Sequence, residues 1–143
     1  MFIGEYRYNA DAKGRVSVPA KFRDELGESF FVTKGLDQSL FVFPESEWAL
    51  FQEKLQTLPL TNPRARAFTR VFYSGATEVE MDKQGRMLIP QNLREFAGIE
   101  KEILVIGVGS RVEIWSEKAW EDYNNPDNLS YDDMAEHLED LGI

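Results

Sequence analysis

Bulky and polar residues alternate along "FIGEYRY" near the start of the chain, a period of two that predicts a strand with one buried face. The alternation breaks at Asp11 to Gly14 and resumes in "RVSV" from Arg15, so the two runs read as a hairpin around a tight turn. Pro19 then suits the first position of a helix, where a missing N–H costs nothing. The run "AKFRDEL" ends at Gly27, placed where a C′ glycine closes a helix. Two apolar runs, "FFVTKG" and "LFVF", predict strands on either side of Leu36 to Ser39. In "PESEWALFQEKL" the residues Trp48, Phe51 and Leu55 fall three and four apart, which is one face of a second helix.

The same program runs twice. Asp11, Gly14, Arg15, Pro19 and Arg23 return 71 positions later as Asp82, Gly85, Arg86, Pro90 and Arg94, and the apolar Val16 and Val18 are answered by Met87 and Ile89. After the short helix the offset is 72: Gly35 matches Gly107, "LFVF" matches "VEIW", and Trp48 matches Trp120, so one residue is inserted between Ile99 and Glu102. Shared spacing over this many positions marks two copies of one unit of roughly 50 residues. Between them "LTNPRARAFTRVFYSG" predicts a helix from Pro63 to Tyr73. A unit this small buries too little apolar surface to be stable alone, so the copies are expected to pack on each other. The expected architecture is mixed α/β, mainly β with short helices. Residues 5–47 and 76–119 form the two units, 48–75 a helical connection and 120–143 a tail.

Charge changes this picture at one end. The net charge is -9, yet the span from Glu117 to Ile143 holds nine acids against Lys118 alone, and the 116 residues before it hold 15 bases and 16 acids. A near-neutral body with an acidic tail can carry a basic binding face. No stretch is apolar and long enough to cross a bilayer as a helix, and "MFIGEYRYNA" lacks the apolar core of a secretory signal. A cytoplasmic location is expected.

Chemistry narrows the candidates further. The absence of cysteine excludes thiolate nucleophiles, thiolate metal sites and disulfides. The single histidine, His137, lies in the acidic segment "YDDMAEHLEDLG", which reads as a short amphipathic helix with a solvated or partner-facing histidine. "GVGS" at Gly107 to Ser110 lacks the lysine and further glycine of a phosphate loop and reads as a hairpin turn. The aromatic residues fall at strand or helix spacing and read as core. No enzyme, metal site, cofactor or small-molecule substrate is expected.

What remains is the doubled turn. An aspartate there can accept backbone N–H groups two or three residues on, glycine supplies a positive φ, and an arginine four positions from the acid can fold back on it in a salt bridge that fixes the hairpin. An exposed ion pair contributes only about 0–1 kcal/mol. Stability alone is therefore a weak reason to place an arginine there twice, at Arg15 and at Arg86. Copy one surrounds its turn with Arg7, Lys13, Arg15, Lys21 and Arg23. Copy two has Glu78, Gln84 and Asn92 where Arg7, Lys13 and Lys21 stood, and offers Lys83, Arg86 and Arg94. Arg23 and Arg94 follow the hairpins on the short helices, where a solvated face is the plain expectation.

The strings "NADAKGRVSVPAKFR" and "VEMDKQGRMLIPQNLREFAG", with "RVFYSGA" between them, resemble the MraZ family of bacterial transcriptional regulators over essentially the whole chain. The resemblance implies two AbrB-like swapped-hairpin β-barrel units packed pseudo-symmetrically in one subunit. It also implies self-association into a ring-shaped homo-oligomer and a cytoplasmic, nucleoid-associated location. Its partner would be double-stranded DNA bearing short direct promoter repeats upstream of the division and cell-wall gene cluster. By position, the DNA-facing arginines fall on Arg15 and Arg86, with Asp11, Gly14, Asp82 and Gly85 shaping the turns. Arg7, Lys13, Lys21, Arg23 and Lys83 are the further bases expected at DNA. A protein-interaction scaffold of antitoxin type, with the acidic tail binding a basic partner, is the alternative reading.

Overall fold

Alternation along the strands and the need to cover their apolar faces give a fold in which neither copy is complete alone. The computed structural model describes residues 1–128, 130–136 and 138–142. Copy one runs β1 (Phe2–Asn9), β2 (Arg15–Ser17), α1 (Ala20–Leu26), β3 (Ser29–Lys34), β4 (Leu40–Pro44) and α2 (Glu45–Gln56). After α3 (Pro63–Ser74), copy two runs β5 (Thr77–Glu80), β6 (Arg86–Leu88), α4 (Gln91–Ala97), β7 (Glu102–Gly109), β8 (Val112–Ser116) and α5 (Glu117–Tyr123). Pro19 and Pro90 stand at the N-caps of α1 and α4, one residue before the expected helical position, and keep an extended ψ. The linking helix starts as its sequence directs: Pro63 occupies its first turn, and the Asn62 side chain accepts from the N–H groups of Arg64 and Ala65.

Six strands form one antiparallel sheet in the order β1-β7-β8-β4-β3-β5. Its centre is the β4–β8 pairing, where Val42 faces Val112 and Leu40 faces Ile114, so the copies meet at equivalent strands. At the flanks the copies exchange strands. β1 of copy one pairs along its whole length with β7 of copy two, Phe2 opposite Gly109 through Asn9 opposite Glu102. β5 of copy two pairs with β3 of copy one, Ser29 opposite Glu80 through Val32 opposite Thr77. The second strands of the two hairpins, β2 and β6, pair with each other as a separate antiparallel ribbon.

The exchange leaves one core for both copies. Val16, Val18, Phe22, Leu26 and Phe30 pack with Met87, Ile89, Leu93, Ala97 and Ile103 in a single buried cluster. A second cluster sits under α2 and α3, where Trp48 stacks between Phe31 and Phe72 at ring-centroid distances of 4.7 and 5.4 Å. The matching Trp120 packs edge-on against Trp115 at 5.1 Å beneath α5. Both tryptophans thus anchor the second helix of their copy.

Past α5 the tail carries α6 (Tyr131–Ala135), opened by a Ser130 and Asp133 capping box, and a 3-10 turn at Leu138–Leu141. The single amphipathic helix expected over "YDDMAEHLEDLG" is thus two short pieces, and His137 lies outside the described residues.

Candidate nucleic-acid interface

Each hairpin turn is closed from within. The Asp11 N–H donates to the Arg15 carbonyl, Gly14 N–H donates back to the Asp11 carbonyl, and Asp11 Oδ1 accepts from the N–H groups of Lys13 and Arg15 at 3.0 and 2.9 Å. Asp82 repeats this pattern with Gln84 and Arg86, both at 2.9 Å. The second carboxylate oxygen then takes the arginine: Arg15 Nε lies 2.5 Å from Asp11 Oδ2, and Arg86 Nε lies 2.9 Å from Asp82 Oδ2. Each aspartate therefore fixes both the turn and the guanidinium.

The backbone hydrogen bond from Arg15, aided by its side chain and by the Lys13 N–H and opposed by partial desolvation, holds the Asp11 carboxyl down at about 2 from an ordinary 3.8. Asp82 is lowered in the same direction, chiefly by the Arg86 backbone N–H. A carboxyl depressed by folding contributes stability above its unfolded value and loses it as pH falls toward the folded one. Asp11→Asn is therefore expected to destabilise the protein at neutral pH, with the gap in urea midpoint from the wild type closing as pH drops from about 4 to about 2. A gap that stays constant across that interval counts against the pairing.

The two turns are stitched together by the β2–β6 ribbon. Arg15 lies opposite Leu88, Val16 opposite Met87 and Ser17 opposite Arg86. Beyond the ladder, Val18 N–H donates to the Gly85 carbonyl at 2.9 Å and Ile89 N–H to the Gly14 carbonyl at 3.0 Å, so each strand ends in the other copy's turn. Val16, Val18, Met87 and Ile89 point into the core, which leaves Arg15, Ser17, Arg86 and Leu88 on the outer face. There Arg86 Nη1 lies 3.9 Å from Asp11 Oδ2, so one carboxylate faces the arginines of both copies.

Arg23 and Arg94 are not a solvated face. Arg23 Nε donates to the Val18 carbonyl at 3.0 Å and Arg94 Nε to the Ile89 carbonyl at 2.9 Å. Each guanidinium then lies over the turn glycine of the opposite copy, Arg94 on Gly14 and Arg23 on Gly85. A Cβ on Gly14 would stand 2.5 Å from Arg94 Nε, and Gly14 and Gly85 have φ values of 85° and 73°. These glycines serve a positive φ and a close approach at once. Periodicity within one copy could not reveal the clamp, because each arginine acts on the other copy.

The remaining bases divide. Lys13, Lys21 and Lys83 are exposed, the first and last on the turns beside the arginine pair. Arg7 stands on β1 between Glu5 and Glu117, at 3.8 and 3.3 Å. Ser17 and Leu88 share the outer ribbon face with Arg15 and Arg86; the period of two in "RVSV" and "RMLI" carried that signal. Among the described residues no cluster of three histidine or acidic side chains could hold a metal ion, and no helix is long and apolar enough to cross a membrane.

A family model described as "MraZ protein, putative antitoxin-like" matches the chain twice, at residues 1–71 and 72–140. The chain belongs to the MraZ family. It is similar over all 143 residues, and over the whole of the relative, to proteins named "Transcriptional regulator MraZ" from Alkaliphilus oremlandii (strain OhILAs) at 60% identity and Thermoanaerobacter sp. (strain X514) at 59%. A relative of the same name from Clostridium tetani (strain Massachusetts / E88) is 56% identical over the same full length. With similarity of this extent the chain is a transcriptional regulator of the MraZ family, which is not a family of enzymes.

Proposed function

We propose that this MraZ regulator reads short direct repeats in double-stranded DNA upstream of the division and cell-wall gene cluster, and that it does so as a ring-shaped homo-oligomer in the cytoplasm at the nucleoid. The observation that carries this reading is the convergence of Arg15 and Arg86 on one outer ribbon face, with Asp11 Oδ2 at 2.5 and 3.9 Å from their guanidinium nitrogens. A two-stranded ribbon fits the major groove of B-DNA. Each aspartate engages its arginine through Nε, and among the described residues no acceptor holds the terminal Nη groups of Arg15. That end of the fork is presented outward for guanine O6 and N7 or for a phosphate. Fixing the guanidinium in advance lowers the entropy lost when DNA binds.

In this proposal Lys13, Lys21 and Lys83 hold phosphates, Arg23 supports the reading face by clamping the Gly85 turn, and Arg7 approaches DNA only by leaving its carboxylate partners. The units are the AbrB-like swapped-hairpin barrels of 5–47 and 76–119, joined by 48–75 and followed by the tail 120–143. The exchanged strands β1 and β5 support that assignment. A ring presenting the face several times multiplies weak contacts through effective concentration and matches a target built of repeats.

Salt tests the reading. Each phosphate neutralised adds about 0.9 to the magnitude of the slope of log affinity against log salt. A DNA carrying several repeats is expected to give a slope of several units, and a flat response overturns the proposal. For a DNA reader, Arg15→Ala is expected to abolish DNA binding and to leave binding to a basic protein partner intact; a protein that holds such a partner and shows no DNA binding to begin with is the antitoxin-type scaffold.

A further inference from the structure

The helices α2 and α3 leave a surface that the proposed DNA face does not use. Between the end of α2, its exit loop and α3 runs a groove of about 320 Å³. Its apolar wall includes Leu55, Leu58, Leu60 and Ala65, and Arg66 and Arg70 edge it. Leu60 is 81% exposed and Leu58 41%. Helix α3 carries Arg64, Arg66 and Arg70 and no acid. Among the described residues none of the three is in an ion pair.

The tail has the complementary pattern. Residues 130–142 hold Asp132, Asp133, Glu136, Glu139 and Asp140 and no lysine or arginine. Tyr131, Met134, Leu138 and Leu141 fall three, four and three apart, which places them on one face of a continuous helix. In the isolated chain this segment is two short pieces, with Tyr131 85% and Leu141 75% exposed. The ends of an apolar stripe flanked by acids are thus exposed, with Met134 and Leu138 half-buried between them. The groove is edged by Arg66, which donates to the Leu60 carbonyl at 3.0 Å, and by Arg70, neither in an ion pair among the described residues. Helix-in-groove docking satisfies both, with the stripe on the leucines and the acids on Arg66 and Arg70.

We propose that the acidic C-terminal segment of one subunit docks as a helix in the α2–α3 groove of a second copy of this chain. The proposal rests on the oligomeric reading above and specifies one contact within it. The contact gives the acidic tail a role and also keeps its charge away from the ribbon that faces DNA.

The chain has no cysteine, so introduced thiols are the only ones present. Thr69→Cys on the groove and Met134→Cys in the tail are placed on separate full-length chains, which are co-expressed and treated with a short bis-maleimide. The expected result is a covalent dimer of the two chains that is lost when Arg66→Glu and Arg70→Glu are added. It returns when Asp132→Lys and Asp133→Lys are added to the tail-bearing chain. Sedimentation of the unmodified protein is measured in parallel. Oligomers without the covalent dimer overturn the docking and leave the oligomer reading intact. Cross-linking only when both cysteines sit in one chain assigns the groove to the chain's own tail and likewise overturns the proposal. A protein that sediments as a monomer defeats the oligomer reading, and the docking with it.

Discussion

Arg15→Ala is expected to lower affinity for a DNA carrying several direct repeats by about 30-fold or more while leaving thermal stability nearly unchanged. A bidentate arginine contact to a base is worth about 1–3 kcal/mol. Two subunits of a ring engaged at once double that loss, to about 2–6 kcal/mol or roughly 30- to 10⁴-fold. The stability cost is small because the side chain is a third exposed and its ion pair with Asp11 lies at the surface. Arg86→Ala is expected to cost less, since copy two has Glu78, Gln84 and Asn92 in place of three bases of copy one. Anisotropy titrations at fixed salt, with melting curves of the same preparations, separate the two effects. Equal losses for both variants would mean that the shared carboxylate makes the arginines one reading unit, as the 3.9 Å approach of Arg86 to Asp11 allows. No loss for either would move DNA binding away from the ribbon.

Much of this site was legible in the chain, because the turn is a local object. Asp, Gly and Arg at fixed spacing determine which N–H groups the carboxylate accepts, and those contacts stand in the structure four residues apart or closer. The repeat also revealed that the copies share a core, since neither could bury enough surface alone. The cross-copy relations were harder to read. Alternation places Val16 inside and Arg15 outside, yet says nothing of which strand lies beside them. Pairing of β2 with β6, and of β1 with β7, is decided by the other copy. For the same reason Arg23 and Arg94, read alone on short helices, looked solvated. Their carbonyl acceptors are five residues back in their own copy, while the glycines they cover lie in the other.

Gly107 provides the most demanding check on the exchanged strands. It pairs with Gly4 in the β1–β7 ladder, and a Cβ there would collide with main-chain atoms of Phe2 and Ile3. A flexible side chain can swing aside from such a contact, whereas a main chain held by a ladder on one side must shift as a unit. The shift would withdraw Phe2, 1% exposed and edge-on to Phe22 at 5.3 Å, from the common core. Gly107→Ala is therefore expected to cost about 3 kcal/mol, the upper end of ordinary overpacking, and to lower Tm by about 10 °C. Gly109→Ala is the matched control. Gly109 sits two residues further on the same strand with a φ of 79° and nothing within 4 Å of its would-be Cβ, so it bears only the conformational cost, about 1 kcal/mol. Calorimetric melts of the two variants should differ by several degrees, with Gly107→Ala lower. If the two fall together, β1 is not held against β7 as closely as the pairing requires, and the exchange that joins the copies is looser than the ladder implies.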